Sequence, residues 1–191
     1  MEKKFKAIFI SCLVFLLLGI PVSAATTGTT EARVTVQGGE LGITIPDPTI
    51  VFSNITIDGA TQTLEMDLGT MIAFDFTGTG SGWNITVGAT QFSETTHKLP
   101  FNSLTLGAID TIEPVNTTST GPSFVETAPY TLDNEGGTAQ KILTATAGNG
   151  MGKFNVAFAS KALKLAVNSS ILRASATPYT STITYSIVTG P

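Results

Sequence analysis

The stretch MIAFDFTGTGSGWNITV, residues 71–87, is the most informative part of this chain about its fold. Apolar side chains recur at every second position on both sides of its glycines: Ile72, Phe74 and Phe76 before them, and Trp83, Ile85 and Val87 after them. A repeat of two residues places side chains on one face of a β-strand, with intervening residues such as Asp75 on the opposite face. The stretch therefore predicts two strands joined by a glycine-rich connection.

Three glycines, Gly78, Gly80 and Gly82, separate these two strands. Glycine-rich loops that hold phosphate pass from a strand into a helix, and a P-loop ends in Lys-Ser/Thr. Here the residues after the glycines alternate like a strand, and no Lys-Ser/Thr ending follows. The pattern favours a hairpin turn or a bulge, because glycine lets two backbones approach closely.

The same alternation recurs along most of the chain, and helical periodicity is nearly absent. Further alternating segments lie at 33–36, 41–45, 50–57, 64–68, 104–106, 142–144, 154–158, 163–167 and 183–187. The least regular part, residues 111–137, contains three prolines and predicts a long surface loop. Because no βαβ pattern is present, the chain predicts a single all-β domain, an antiparallel β-sandwich or barrel-like fold with about ten short strands.

The N-terminal residues have the pattern of a secretory signal peptide. A basic start precedes an apolar run at 7–20, and Val22-Ser23-Ala24 is a small-residue cleavage site. The run is shorter than the roughly 20 residues of a membrane helix, and it continues past Cys12, which argues against a lipid-bearing cysteine. We expect a signal peptide at 1–24, a flexible leader at 25–31, a β domain at 32–191, and no membrane anchor after cleavage.

Charge and cysteine content exclude several function classes. Without the signal peptide the chain carries 7 Lys+Arg and 13 Asp+Glu, a net charge of −6 (7 − 13). Nucleic-acid binding relies on basic patches, and no Lys/Arg cluster lies outside the signal peptide, so we expect no nucleic-acid partner. The same part of the chain has no cysteine. Its stability must therefore come from a buried core rather than from disulfides.

Few residues could carry catalysis. His97 is the only histidine, so no second His or Cys completes a zinc site and no spacing links it to a serine nucleophile. The carboxylate pairs Glu65/Asp67 and Asp133/Glu135 are also typical of a solvated strand face or a turn. The run that begins at Asp133 is too short to match a calcium-binding EF-hand loop. We therefore predict no enzyme activity, no metal site and no cofactor.

Two short strands carry a large aromatic side chain two residues before an isoleucine. They are Trp83-Asn84-Ile85 and Tyr185-Ser186-Ile187. Exposed Trp and Tyr rings can stack on sugar rings, since they combine an apolar face with a polar group. The same spacing is typical of core residues, and Trp is highly buried on average. The pattern favours a core position, with sugar binding as the alternative.

Both strands belong to longer segments that resemble a known family. Residues 75–87, DFTGTGSGWNITV, resemble the first motif of the WxL domain family of Gram-positive cell-surface proteins, and residues 177–187, TPYTSTITYSI, resemble the second. A Gly-Gly-x-Leu strand near residue 40 and the second motif close to the C-terminus also follow the family order. Ile85 stands where the family has Leu, and Tyr185 and Ile187 replace Trp and Leu of the second motif.

The resemblance implies a secreted protein held non-covalently at the cell surface or wall. Its implied ligand is peptidoglycan or an associated wall polymer, and its implied partners are other secreted surface proteins. Trp83, Ile85, Tyr185 and Ile187 are the motif positions, either in the core or at the ligand. The alternative function is a structural or adhesive subunit of a surface complex that assembles through exposed strand edges.

Overall fold

The computed structural model describes residues 28–45, 47–117, 119–124 and 128–190. The predicted signal peptide and residues 25–27 of the predicted leader lie outside the described residues. The chain divides into two compact units, residues 1–36 and 37–191. In the first unit, the described residues 28–36 are exposed and have no regular secondary structure.

The second unit is all-β, as the alternating pattern predicted. Its described residues form twelve strands, where about ten were predicted, and a short 3₁₀ helix, Ser169–Ile171. The strands are β1 (Leu41–Thr44), β2 (Thr61–Met66), β3 (Met71–Asp75), β4 (Trp83–Ala89), β5 (Leu104–Leu106), β6 (Ile109–Pro114), β7 (Ser123–Phe124), β8 (Tyr130–Thr131), β9 (Gln140–Ala145), β10 (Gly152–Phe158), β11 (Leu163–Asn168) and β12 (Ile183–Thr189).

The strands form three four-stranded sheets with antiparallel pairing. The strand orders are β1-β3-β10-β6, β2-β11-β5-β8 and β12-β4-β9-β7. No two neighbours in these orders are consecutive in the chain. None of the described connections therefore joins a strand to the strand with which it pairs. The glycine-rich connection between β3 and β4 is therefore not a hairpin: it carries the chain from the first sheet to the third.

All three sheets contribute to one hydrophobic core. The largest fully buried side chains are Trp83, Phe154, Met71, Ile85, Leu104, Leu106, Leu132, Ile142, Leu143, Leu163, Val87 and Val156. In β3 the buried positions are Met71, Ala73 and Asp75, and the alternate positions are half-buried. The core face of β3 thus carries Asp75, and Phe74 lies on the outer face of the strand.

Three predictions of local structure were wrong. Residues 33–36 form no strand, and both valines of this segment are exposed. Residues 50–57 also lack regular structure, although Ile50, Phe52 and Ile55 pack against the core. The region 111–137, predicted as a long loop, contains the end of β6 and all of β7 and β8. Alternation alone did not decide these segments because a strand also needs a neighbour with which to pair.

Candidate functional site

The two motif segments lie side by side, although about a hundred residues separate them in the chain. β12 pairs with β4 in antiparallel register, and this pairing sets Thr189 opposite Trp83, Ile187 opposite Ile85, and Tyr185 opposite Val87. The other neighbour of β4 is β9, whose Ala145 lies opposite Trp83. The fold thus joins both motifs in one sheet, with β4 inside it and β12 at its edge.

Trp83 is a core residue with a specific polar contact. Its side chain is fully buried, and its indole Nε1 donates a hydrogen bond to the carbonyl oxygen of Gly150 at 3.0 Å. Gly150 has a positive φ of 74°, and a Cβ at this position would lie 2.7 Å from the indole nitrogen. The indole therefore holds the turn before β10, and position 150 of this turn accepts no side chain larger than that of glycine.

The glycine-rich connection lies against two other parts of the fold. Gly78, Gly80 and Gly82 have φ values of 71°, 63° and 74°. The carbonyl oxygen of Gly80 accepts from the backbone N–H of Gly148 at 2.8 Å, and that of Gly82 accepts from the backbone N–H of Gly190 at 2.9 Å. The connection thus contacts the turn before β10 and the residue after β12. β4 follows directly, with no helix to hold an anion.

A buried carboxylate anchors the start of this connection. Asp75 accepts hydrogen bonds from the backbone N–H of Thr77 at 2.9 Å and from its hydroxyl at 2.6 Å. The Thr77 and Thr79 hydroxyls are 3.0 Å apart, and the Ser81 hydroxyl donates to that of Thr79 at 3.1 Å. The small hydroxyl residues of the first motif therefore form a chain of hydrogen bonds that begins at a core carboxylate.

Asn84, inside the first motif, was not predicted as a site residue. It is buried, and its amide nitrogen donates a hydrogen bond to the carbonyl oxygen of Gly190. Its Oδ1 atom has no hydrogen-bond partner among the described residues. Asn84 thus provides a second link, besides the backbone, between the first motif and the end of β12.

The motif residues of β12 are less buried than those of β4. Ile85 is fully buried, whereas Tyr185 and Ile187 are half-buried and pack against the core. Burial raises the pKa of the Tyr185 phenol to about 12, because the charged phenolate loses its hydration there. The aromatic replacement in the second motif therefore keeps an apolar, half-buried position.

Tyr185 also lines a cavity of about 1390 Å³. All of residues 177–185 border it, together with apolar side chains that include Phe52 and Phe92. These two rings meet edge to face with their centroids 6.4 Å apart. The cavity lies under the two irregular segments 47–57 and 172–182 and has an aliphatic and aromatic wall. The second motif contributes hydroxyl groups at its border.

A protein-family model covers all the strands described above. The model of the WxL domain, described as surface cell wall-binding, matches residues 28–191. The chain belongs to the WxL domain family. A search of curated proteins and a search of solved structures give no match. The family places this WxL domain at the cell surface as a wall-binding domain. Among the described residues, no helix is long and apolar enough to cross a membrane.

The carboxylates considered for catalysis have structural contacts in this WxL domain. Glu65 forms salt bridges with Lys161 at 3.1 Å and with Lys164 at 2.8 Å, and hydrogen bonds from these two lysines lower its pKa. Its neighbour Asp67 accepts a hydrogen bond from the backbone N–H of Lys161 at 2.6 Å. This pair therefore ties β2 to the turn before β11.

Asp133 is fully buried, whereas its spacing with Glu135 suggested a solvated face. It accepts from the backbone N–H groups of Ser103 at 3.1 Å and Leu104 at 2.9 Å, which fixes the start of β5. Among the described residues, no group of three or more His, Cys, Asp or Glu side chains is placed to hold a metal ion.

His97, the lone histidine, pairs with a neighbouring acid. Its Nδ1 lies 2.6 Å from Oε1 of Glu94, and the Thr96 hydroxyl is within 2.7 Å of the same nitrogen. The hydrogen bond from His97 lowers the pKa of Glu94 to about 2. The three residues form a local turn cluster whose polar groups bond to one another.

Proposed function

We propose that this WxL domain is an exported protein that binds peptidoglycan directly and non-covalently, and that it acts without catalysis. The observation that carries the proposal is the family match over residues 28–191, which includes every strand described. A wall-binding description of the family therefore applies to the whole β unit rather than to an appended segment.

The burial of the motif residues supports a division of roles. Trp83 and Ile85 have no exposed surface, so a polymer as large as a wall glycan cannot reach them in the folded chain. Their contacts join β4, β9 and β12 and hold the turn before β10. The motif then maintains the shape of the domain, and ligand contacts come from exposed side chains.

Sedimentation with cell-wall sacculi tests direct binding. The full chain, secreted from a bacterial host and purified, is mixed with Gram-positive sacculi before and after acid removal of secondary polymers. Binding to both preparations is expected if peptidoglycan is the ligand. Binding to the unstripped sacculi alone assigns the ligand to an associated polymer, and absence from both pellets refutes direct wall binding.

A second candidate function is assembly with other surface proteins by strand pairing. Residues 33–36 have the alternating sequence of a strand, and Val34 and Val36 are 87% and 88% exposed. β-branched residues at period two suit an added strand in a partner's sheet. Replacement of both valines by lysine is expected to abolish such pairing, and co-purification with the secreted partners of the producing cell measures it. Unchanged co-purification would contradict this function.

A further inference from the structure

The outer face of β3 is more apolar than its core face. Met71, Ala73 and Asp75 point inward, and Asp75 is kept there by the two hydrogen bonds from Thr77. On the outer face, β3 carries Phe74, and Phe76 follows at the next position of the same alternation. Aromatic side chains contribute much of the energy of a core when they are buried. Neither Phe74 nor Phe76 belongs to the hydrophobic core, so the pair presents an apolar surface on the outer face.

The two phenylalanines form a stacked pair. Their ring centroids are 5.6 Å apart at an interplanar angle of 25°, and Phe76 is 45% exposed. Gly42, opposite Phe74 on β1, lies under the Phe74 ring: a Cβ on Gly42 would be 2.5 Å from Cζ of that ring. The missing side chain lets the first ring lie flat, so the second ring stacks on it and remains accessible.

A cation lies beside this pair, and an amide lies further along the same face, opposite Ile72. Lys153 on β10 is directly opposite Phe74, and Asn155 is two residues further along the same face. Directly opposite residues have Cβ atoms about 5 Å apart, so the lysine stem borders the aromatic pair. Within the described part of the chain, Lys153 forms no salt bridge, in contrast to Lys161 and Lys164. Its ammonium group is thus available to an external carboxylate.

We propose that Phe74 and Phe76 form a saccharide-stacking subsite, with Lys153 as the partner of a carboxylate on the same polymer. This inference rests on the proposed wall-binding function and names the surface that performs it. The apolar face of a sugar ring can stack on the Phe76 ring, and Asn155, which lies further along the same face opposite Ile72, can exchange hydrogen bonds with the hydroxyls of a neighbouring sugar. A polymer that carries both sugar rings and carboxylates, as peptidoglycan does, satisfies both halves of the site.

The test measures the binding of the purified full chain to acid-stripped Gram-positive sacculi over a range of sacculus concentrations. Phe76→Ser is expected to weaken the apparent affinity about tenfold, because it removes the accessible stacking surface. The matched control is Phe101→Ser, since Phe101 is also exposed, at 38%, but lies outside β3 and has no stacked partner among the described rings. The control is expected to bind like the wild type.

Two further variants separate stacking and charge from folding. Phe76→Trp keeps a flat ring, so it is expected to bind at least as tightly as the wild type. Lys153→Gln is expected to lower the affinity about two- to fivefold at low salt and to flatten the salt dependence of binding. The buried Trp83, the only tryptophan of the wild type, supplies a fluorescence check of folding for Phe76→Ser, Phe101→Ser and Lys153→Gln, and circular dichroism supplies it for Phe76→Trp, which has a second indole.

The outcomes distinguish the subsite from the function. If the wild type binds and folded Phe76→Ser binds equally well, the subsite is refuted while wall binding stands. If Phe76→Ser does not fold, the test uses Phe76→Leu, which keeps apolar volume but lacks the flat ring, and unchanged binding in that variant also refutes the subsite. If the wild type itself stays in the supernatant, the proposed function fails first.

Discussion

Replacement of Trp83 tests whether the family's motif tryptophan is structural. The side chain is fully buried, so truncation to alanine leaves a large cavity, which costs about 3–5 kcal/mol for an aromatic residue. The lost hydrogen bond to Gly150 adds about 1 kcal/mol. The sum of about 4–6 kcal/mol is a large share of the roughly 5–15 kcal/mol that stabilises a typical domain.

A graded series makes this estimate sharper. Trp83→Phe keeps most of the apolar volume but loses the indole N–H, so we expect a loss of about 1–3 kcal/mol. Tyr185→Phe, at the other motif aromatic, keeps the ring of a half-buried side chain and is expected to change stability by less than about 1 kcal/mol. The expected order of destabilisation is therefore Trp83→Ala, then Trp83→Phe, then Tyr185→Phe.

Urea unfolding followed by circular dichroism measures the series, since the tryptophan signal is lost in two of the variants. Sacculus binding is measured on every variant that remains folded. A Trp83→Ala protein whose unfolding free energy lies within about 1 kcal/mol of the wild type would refute the structural role. A stable Trp83→Phe protein that no longer binds sacculi would show instead that the indole contacts the ligand.

Three further predictions concern separate parts of the fold. Gly80→Ala is expected to lower the free energy of unfolding by about 1 kcal/mol, and Gly82→Ala is expected to lower it more. Both glycines have positive φ, but only at Gly82 would a Cβ overlap the backbone carbonyl of Ala145. Equal unfolding free energies for the two variants would contradict the close contact. Asp133→Ala leaves two buried backbone N–H groups at the start of β5 without their partner, so we expect a loss of about 2–4 kcal/mol in urea unfolding, and a smaller loss in Asp133→Asn. Burial raises the pKa of Tyr185 from its ordinary value of 10.0 to about 12, so its contribution to stability is complete below pH 10 and is lost as the pH rises toward 12. Tyr185→Phe should therefore remove part of the loss of stability at alkaline pH. Identical profiles of stability against pH for the two proteins would exclude this linkage.

The sequence of the first motif was enough to predict its strands and the family. Alternation on both sides of the glycines predicted β3 and β4, and the residues around Trp83 carried the resemblance to the WxL family that the family match confirms. The alternation that favours a strand is a local property, because a repeat of two residues needs information from a few neighbours only. The family motif is also local, because it is a short run of residues.

Which strands pair, and which face of a strand is buried, are not local properties in this sense. The glycine-rich connection has the composition of a hairpin, yet β3 and β4 belong to different sheets, and β4 pairs with β12 about a hundred residues away. Residues 33–36 alternate like a strand and form none. A strand forms where a neighbour offers free backbone groups, and the location of that neighbour depends on the whole chain.

The order of the amino acids was enough to predict the all-β class, the position of most strands and the family. It was not enough to predict which face of each strand is buried, and that came from the tertiary structure. Alternation defines two faces but does not say which one meets the core, and in β3 the core received Asp75 while the phenylalanine pair stayed outside. Burial is settled by the packing of all three sheets together, and that packing leaves the stacked phenylalanine pair outside the core.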